Sequence, residues 1–209
     1  MGKINKAGIS FSDWPRLRLK YVAKVNMGQS IDSTAMNQGR VGVAFIQGTA
    51  EFGTLHPEPK YWTKQPKKLA SLNDLLFSVR APVGELNVAN RQYGIGRGLC
   101  AIRARNVSRQ YLYWQAHLFG EPLSRVAVGS TYDAVTVGDV ANLSTVIPPQ
   151  NAQEEIAQFL DVATTEIQAL VAKKRHQIDL LTESKQIIVT QAITRGLNAD
   201  VSMKDSGRT

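Results

Sequence analysis

The sequence predicts an α+β protein: a globular domain built on a curved, mainly antiparallel sheet, followed by one long C-terminal α-helix. Three observations carry this expectation. Residues 150–195 form the longest run without glycine or proline, and their apolar residues fall mostly three and four apart. Before residue 148, short β-type segments alternate with glycines and prolines instead. Of the 15 aromatic residues, only Phe159 lies after residue 148, so the core belongs to the first part of the chain.

Taken in order, residues 1–13 are polar. Trp14 to Val25, WPRLRLKYVAKV, reads as a short strand and a helical turn, and Gly28-Gln29-Ser30 opens a polar loop. Val41 to Gln47 reads as a strand that enters a loop at Gly48. Residues 53–68 are rich in proline and lysine and read as irregular. Asn73-Asp74 is a turn. Leu75–Val79, Leu86–Ala89 and Leu99–Ile102 read as short strands, and Arg109–Phe119 as an aromatic-bearing helix. Val126–Val128 precedes a further loop. Val135–Val137 and Leu143–Ile147 then complete the domain, and Pro148-Pro149 ends it.

The long helix starts after those prolines. Asn151 is expected to cap it, with Glu154 at the capping-box spacing. Its apolar stripe comprises Ile156, Phe159, Leu160, Ala163, Ile167, Leu170, Val171, Ile178, Leu181, Ile188, Val189, Ala192 and Ile193. Arg195 in the last turn and Gly196 beyond it form a usual ending. At 1.5 Å per residue the helix would be about 70 Å long, more than a small domain is wide, so part of it is expected to project. A projecting apolar stripe calls for a partner helix. The expected divisions are a domain over 1–148, the helix over 149–196, and a tail over 197–209 that reads as a linker.

Composition narrows the function. The single cysteine, Cys100, excludes an internal disulfide, fits a reducing cytoplasm and reads as a small buried hydrophobe. No apolar run approaches a membrane span and no signal-peptide core follows Met1, so no membrane role is expected. The net charge of +8 is uneven. Residues 1–148 hold 18 basic and 9 acidic side chains, whereas residues 149–209 hold 7 and 8. A basic domain joined to a neutral helix suggests nucleic acid on the domain and protein on the helix.

Catalytic constellations are missing. His56, His117 and His176 have no metal-type spacing. Gly94-Ile-Gly-Arg-Gly98 lacks the Lys-Ser/Thr and the helix pattern of a phosphate-binding loop. It fits a tight turn or a close approach of backbones between strands. Ser30, Ser78 and Ser130 lack a nucleophile-elbow setting. A binding module with no catalytic residues and no metal site is the expectation.

Several stretches together resemble the specificity subunit of type I restriction-modification systems. Residues 74–103, DLLFSVRAPVGELNVANRQYGIGRGLCAIR, look like the middle of that family's target recognition domain, with its "D-I-L-F-S-x-R-A-P-x-G" strand-turn and then "I-G-R-G". Trp14-Pro15 with Leu17, Leu19 and Gly28 resembles the opening of such a domain. Gly129-Ser130-Thr131, Val135-Thr136-Val137, Leu143 and Ile147-Pro148-Pro149 resemble its close. QEEIAQFLD, residues 153–161, running on to Thr194-Arg195-Gly196, is similar to the family's conserved helix. Members usually carry two recognition domains and two helices, and here there is one of each. The chain is therefore expected to be a natural half subunit or a shortened full one, and the connector-like tail favours the second.

The resemblance implies a partner set. The domain would read one part of a split sequence in double-stranded DNA. The helix would act as a spacer and as a docking site for the methyltransferase (modification) subunit. The restriction subunit would join that complex. S-adenosylmethionine and ATP would be bound by those partners and no cofactor by this chain. In the family two helices pair as an antiparallel coiled coil. One helix can reproduce this as a homodimer, with Ile167, Leu170, Leu181 and Ile188 between the copies.

For DNA contact, loop positions are the better candidates, because strands hold the scaffold. Gln47 leaves a strand and can pair with adenine through two hydrogen bonds. Lys60, Lys64, Lys67 and Lys68 form a basic loop suited to phosphates. Arg80 sits at a Pro-Gly turn with Asp74 as its alternative partner, and Arg97 lies in the glycine-rich turn. Ser130, Thr131 and Tyr132 lie in a loop near the end of the domain. The competing expectation is a scaffold or inhibitor that dimerises through its helix and reads no DNA. The domain's positive charge argues against it.

Overall fold

The computed structural model of the protein describes residues 14–127, 135–196 and 207. Of these described residues, those through Gln158 form one compact unit, and those from Phe159 on form a second. In the first unit the described strands are β1 (Arg16–Arg18), β2 (Ala23–Met27), β3 (Met36–Asn37), β4 (Val43–Ile46), β5 (Tyr61–Thr63), β6 (Leu69–Ala70), β7 (Leu75–Ser78), β8 (Leu86–Val88), β9 (Tyr93–Ile95), β10 (Leu99–Ala104) and β11 (Ser144–Val146). The helices are α1 (Leu19–Val22), α2 (Arg109–Ala116), α3 (Gly120–Ala127), α4 (Val137–Ala141) and the long α5 (Gln150–Arg195).

The expected fold class holds, but the strands form three sheets. β1 pairs antiparallel with β11. A four-stranded antiparallel sheet runs β2-β10-β7-β8, and a five-stranded sheet runs β3-β5-β4-β9-β6. Within the latter, β4 and β9 are parallel. The alternating burial of a half-exposed strand is absent from β7 and β9, whose residues are all buried. Both lie between two layers of side chains.

Two apolar clusters result. One gathers Leu19, Phe77, Ile102, Leu112, Phe119 and Leu123 beneath α2 and α3, with the Phe77 and Phe119 rings edge-on at 6.5 Å. The other gathers Ile46, Leu76, Tyr93, Ile95 and Leu99 between the two larger sheets. Cys100 is fully buried in the first cluster, as expected, and burial pushes its thiol up to about 12.

Several local expectations need correction. The stretch 53–68 is not wholly irregular, because it contains β5, the neighbour of both β3 and β4. β2, β3, β6 and β9 are additional to the expected strands. Val126 lies within α3, a helix that tolerates Pro122 because it stands in the first turn, where its missing N–H would have no partner. Val137 starts α4 in place of a strand. Thr136 caps that helix: its Oγ1 accepts from Asp139 N at 3.3 Å, and Thr136 N donates to the Asp139 carboxylate at 2.9 Å. The hydrogen bonds from Thr136 hold the Asp139 carboxyl below its ordinary value.

α5 begins at Gln150. Asn151 is its second residue and not its cap. Gln150 Nε2 donates to Glu154 Oε1 at 2.9 Å. The start is held by the buried Gln153, whose Nε2 donates to the Pro148 carbonyl at 2.8 Å and whose Oε1 accepts from Ser108 N at 2.7 Å. The helix ends as expected, with Gly196 at φ +77 donating its N–H to the Ala192 carbonyl at 3.1 Å. Among the described residues no helix is long and apolar enough to cross a membrane.

Candidate nucleic-acid interface

The five-stranded sheet determines which of the candidate residues meet. β4 and β9 run parallel with Ile46 opposite Ile95, so both leave the sheet at the same end. Gln47 follows β4 there and is exposed. Beside it, the turn after β9 is drawn tightly onto the end of β4. Gly96 N donates to the Ile46 carbonyl at 2.8 Å, and Gly98 N to the Gln47 carbonyl at 3.2 Å. A Cβ on Gly96 would stand 2.9 Å from Gln47 Cα, and one on Gly28 would stand 2.0 Å from the Gly96 carbonyl oxygen. The glycine-rich motif is thus a close backbone approach, as its sequence suggested, and it presents Arg97 exposed at the tip.

Register brings the other cations in. β6 pairs antiparallel with β9, and Ile95 N donates to the Lys68 carbonyl at 3.0 Å. Lys67 and Lys68 therefore flank the same turn. β5 runs antiparallel to β4 with Tyr61 opposite Phe45, which puts Lys60 level with Ile46. On the other side, Val79 N donates to the Gly98 carbonyl at 2.9 Å, so continuing the β7–β10 register puts Arg80 level with Arg97. Gln47, Lys60, Lys67, Lys68, Arg80 and Arg97 share one end of the fold. Lys60, Lys67, Lys68 and Arg97 are exposed, and Arg80 is half-buried.

Lys64 does not join them. It follows Thr63, which pairs with Val43 at the opposite end of β4, and it lines a cleft with Asp32. Asp74 is not a partner for Arg80, because Arg103 occupies it: Nε donates to Oδ1 at 2.7 Å and Nη2 to Oδ2 at 2.8 Å. Ser130, Thr131 and Tyr132 lie outside the described residues. Gln47 Nε2 lies 3.4 Å from Met36 Sδ, a weak acceptor that leaves the amide able to exchange it for a base edge.

Sequence reasoning missed a second feature of the same sheet. Arg40, Lys60 and Arg91 line an open cleft of about 690 Å3 together with Trp62 and Glu58. The Arg40 guanidinium lies 5.6 Å from the centre of the Trp62 ring, and that of Arg91 lies 5.3 Å from the centre of Tyr93. The signal that could have found Arg40 is its setting, Gly39-Arg40-Val41-Gly42, immediately before a strand. Among the described residues no group of three or more His, Cys, Asp or Glu is placed to hold a metal ion.

Comparison with known proteins gives a consistent picture. The family described as "Type I restriction modification DNA specificity domain" matches residues 12–180. A protein of Methanocaldococcus jannaschii, named as the MjaX type I restriction enzyme specificity subunit, is 33% identical over 187 residues, which are 87% of this chain and 43% of that protein. The EcoDI specificity subunit of Escherichia coli is 21% identical over 188 residues, 90% of this chain and 39% of that one. Among solved structures, the HsdS subunit from Thermoanaerobacter tengcongensis superposes with a TM-score of 0.73 at 36% identity, over 88% of this chain and 46% of that one. A chain from a study of complex assembly and conformational transition in the type I R-M system gives a TM-score of 0.82 at 37% identity, with the same coverage. The chain thus spans less than half the length of the relatives it matches.

Proposed function

The chain belongs to the type I restriction-modification DNA specificity family, and from that premise we propose that it reads one half of a bipartite target in double-stranded DNA. The observation that carries this reading is the convergence of Gln47, Arg80, Arg97, Lys60, Lys67 and Lys68 at one end of the fold. An amide beside five cations suits both tasks of a DNA reader: phosphates fix position and a base-edge hydrogen bond supplies choice. The chain's part is recognition and not catalysis. S-adenosylmethionine and ATP belong to the methyltransferase and restriction subunits that it docks, and the complex works in the cytoplasm of a bacterium or archaeon. Residues 1–148 form the recognition domain, 149–196 the spacer and docking helix, and 197–209 a linker.

The helix supplies the second half of the target. Ile167, Leu170, Leu181 and Ile188 are between 56% and 70% exposed in the single chain. Leaving such a stripe wet costs about 25 cal/mol per Å2 of apolar surface. Pairing with a second copy as an antiparallel coiled coil covers it and presents two identical domains in opposite directions. The methylated target is then an interrupted palindrome. Methylome sequencing of cells carrying this chain and its methyltransferase subunit tests the reading. Two identical half-sites are expected. Two unrelated half-sites would refute the homodimer, and loss of all sequence-dependent methylation would favour a scaffold without DNA specificity.

A further inference from the structure

We propose that the cleft lined by Arg40, Lys60 and Arg91 clamps phosphates of the DNA backbone, extending the DNA path beyond the end of the fold that carries Gln47. The proposal rests on the DNA-reading role and adds a second surface to it. The lining carries three cations against one carboxylate, Glu58. Among the described residues none of the three cations forms an ion pair. An open cleft with an unmatched excess of positive charge fits an anion supplied from outside.

The geometry of Arg40 carries the inference further. Arg40 sits at φ +58, in the left-handed region that disfavours a residue with a Cβ. Such a conformation persists only where its surroundings impose it. Here Asn37 does so. Its Oδ1 accepts from Val41 N at 3.0 Å, and its Nδ2 donates to the Val41 carbonyl at 2.9 Å and to the Trp62 carbonyl at 3.0 Å. One amide thus closes the loop 37–41 and ties it to β5, leaving the Arg40 guanidinium beside the Trp62 indole. A guanidinium restrained in this way loses little further freedom on meeting a phosphate, and its planar fork matches phosphate oxygens. The Arg91 guanidinium also stands beside a ring, 5.3 Å from the centre of Tyr93. Lys60 links the cleft to the end that holds Gln47, so one strand of DNA can run from one to the other.

The test uses the full chain and a labelled duplex of arbitrary sequence, with affinity measured across a potassium chloride series, alone and with the methyltransferase subunit. Arg40→Gln, Lys60→Gln and Arg91→Gln are each expected to flatten the salt dependence by about one counterion and to weaken all sequences alike. Arg105→Gln, which removes an exposed cation elsewhere, serves as the control. Asn37→Ala removes no charge, yet it should weaken binding nearly as much as Arg40→Gln, and combining the two should add little further loss. A merely structural Asn37 would give additive losses instead. Inorganic phosphate at matched ionic strength should not compete. Unchanged salt slopes in Arg40→Gln and Arg91→Gln, with wild-type binding intact, would overturn the clamp and leave the DNA-reading role standing. Competition by inorganic phosphate would overturn it in favour of a free-anion site. A wild-type chain that binds no duplex in either setting would overturn the DNA-reading role itself.

Discussion

Gly98 donates its backbone N–H to the Gln47 carbonyl at 3.2 Å, and a Cβ placed on Gly98 would fall 2.4 Å from that same oxygen. The residue proposed to read a base is therefore held through its backbone by a residue that must lack a side chain. Gly98→Ala is expected to push the two strand ends apart, at a cost of about 1–3 kcal/mol, the usual penalty for overpacking. It should also blur base discrimination, because the Gln47 amide moves with its backbone. Gly48→Ala is the contrast. That residue is extended at φ −169, and its added Cβ would meet nothing within 4 Å. Its effect on stability should stay within about 0.5 kcal/mol. Thermal unfolding of the two variants checks both expectations.

What was legible in the sequence follows from which signals were local. The helix over 150–195 and the strands over 43–46, 75–78, 86–88 and 99–104 declare themselves by periodicity or by β-branched and apolar runs. β9 does not, because Gly94 lies inside it. That glycine is needed since a Cβ would stand 2.8 Å from the Phe45 ring, which is a tertiary reason. β5 is hidden by the prolines and lysines around it, and it is a strand because β3 and β4 pair with it on either side. Val135-Thr136-Val137 looks like a strand, yet the Thr136–Asp139 capping box makes it a helix start. The site was legible residue by residue but not as a surface. Only register shows that Lys60, Lys67 and Lys68 belong with Gln47 and that Lys64 does not. Arg40 and Arg91 gain meaning only from the rings beside them.

Asp74 carries a second testable relationship. Its carboxylate takes two hydrogen bonds from Arg103 and one from Ser71 N at 2.8 Å, and its side chain is 5% exposed. The same contact raises the Arg103 pKa above its ordinary value, chiefly through the hydrogen bond to Asp74. Breaking a fully buried pair costs about 3–5 kcal/mol. Arg103 is half exposed and partly screened, so Asp74→Asn is expected to cost about 1–2 kcal/mol. Urea denaturation should show this as a lower midpoint with an unchanged slope.

The ionisation of Cys100 gives a pH dependence. Its thiol stands near 9.0 when unburied and is pushed by burial to about 12 in the folded protein. A folded value above the unfolded one means that the associated stability is complete below about pH 9 and is lost as pH rises toward 12. A thiol reagent at pH 8 should therefore label Cys100 only as fast as the protein unfolds. Rapid labelling of the native chain would contradict the burial.

Reading and holding should separate by residue. Lys67→Ala with Lys68→Ala should weaken binding to every sequence and flatten the salt dependence by about two counterions. Lys64→Ala should flatten it less, because Lys64 lines a different cleft beside Asp32. Gln47→Ala should instead lower discrimination at one base pair by about 1–3 kcal/mol with the salt slope preserved. The difference comes from chemistry: an ammonium meets a phosphate as a point charge, whereas an amide matches a donor and an acceptor on one base edge. Anisotropy titrations over a salt series and a set of single-base variants measure both quantities. A Lys67/Lys68 variant that changed the methylated sequence would reverse the assignment.

The final prediction concerns assembly. Leu181 and Ile188 stand seven residues apart on α5, which brings them to nearly the same side of the helix, and they are 70% and 62% exposed in the single chain. A carboxylate at either place costs little in a lone helix, because glutamate is a good helix former. It costs far more between two paired helices, where it would be buried without a partner. Leu181→Glu with Ile188→Glu should therefore leave the thermal unfolding of the recognition domain unchanged while converting a dimer into a monomer by light scattering at micromolar concentration. If pairing also sets the spacing of the two half-sites, deleting two helical turns between Val171 and Leu181 should shorten the spacer and leave the half-sites unaltered. A wild-type monomer mass under the same conditions would refute the homodimer, and the stripe would then belong to the methyltransferase subunit or to a second, different recognition domain.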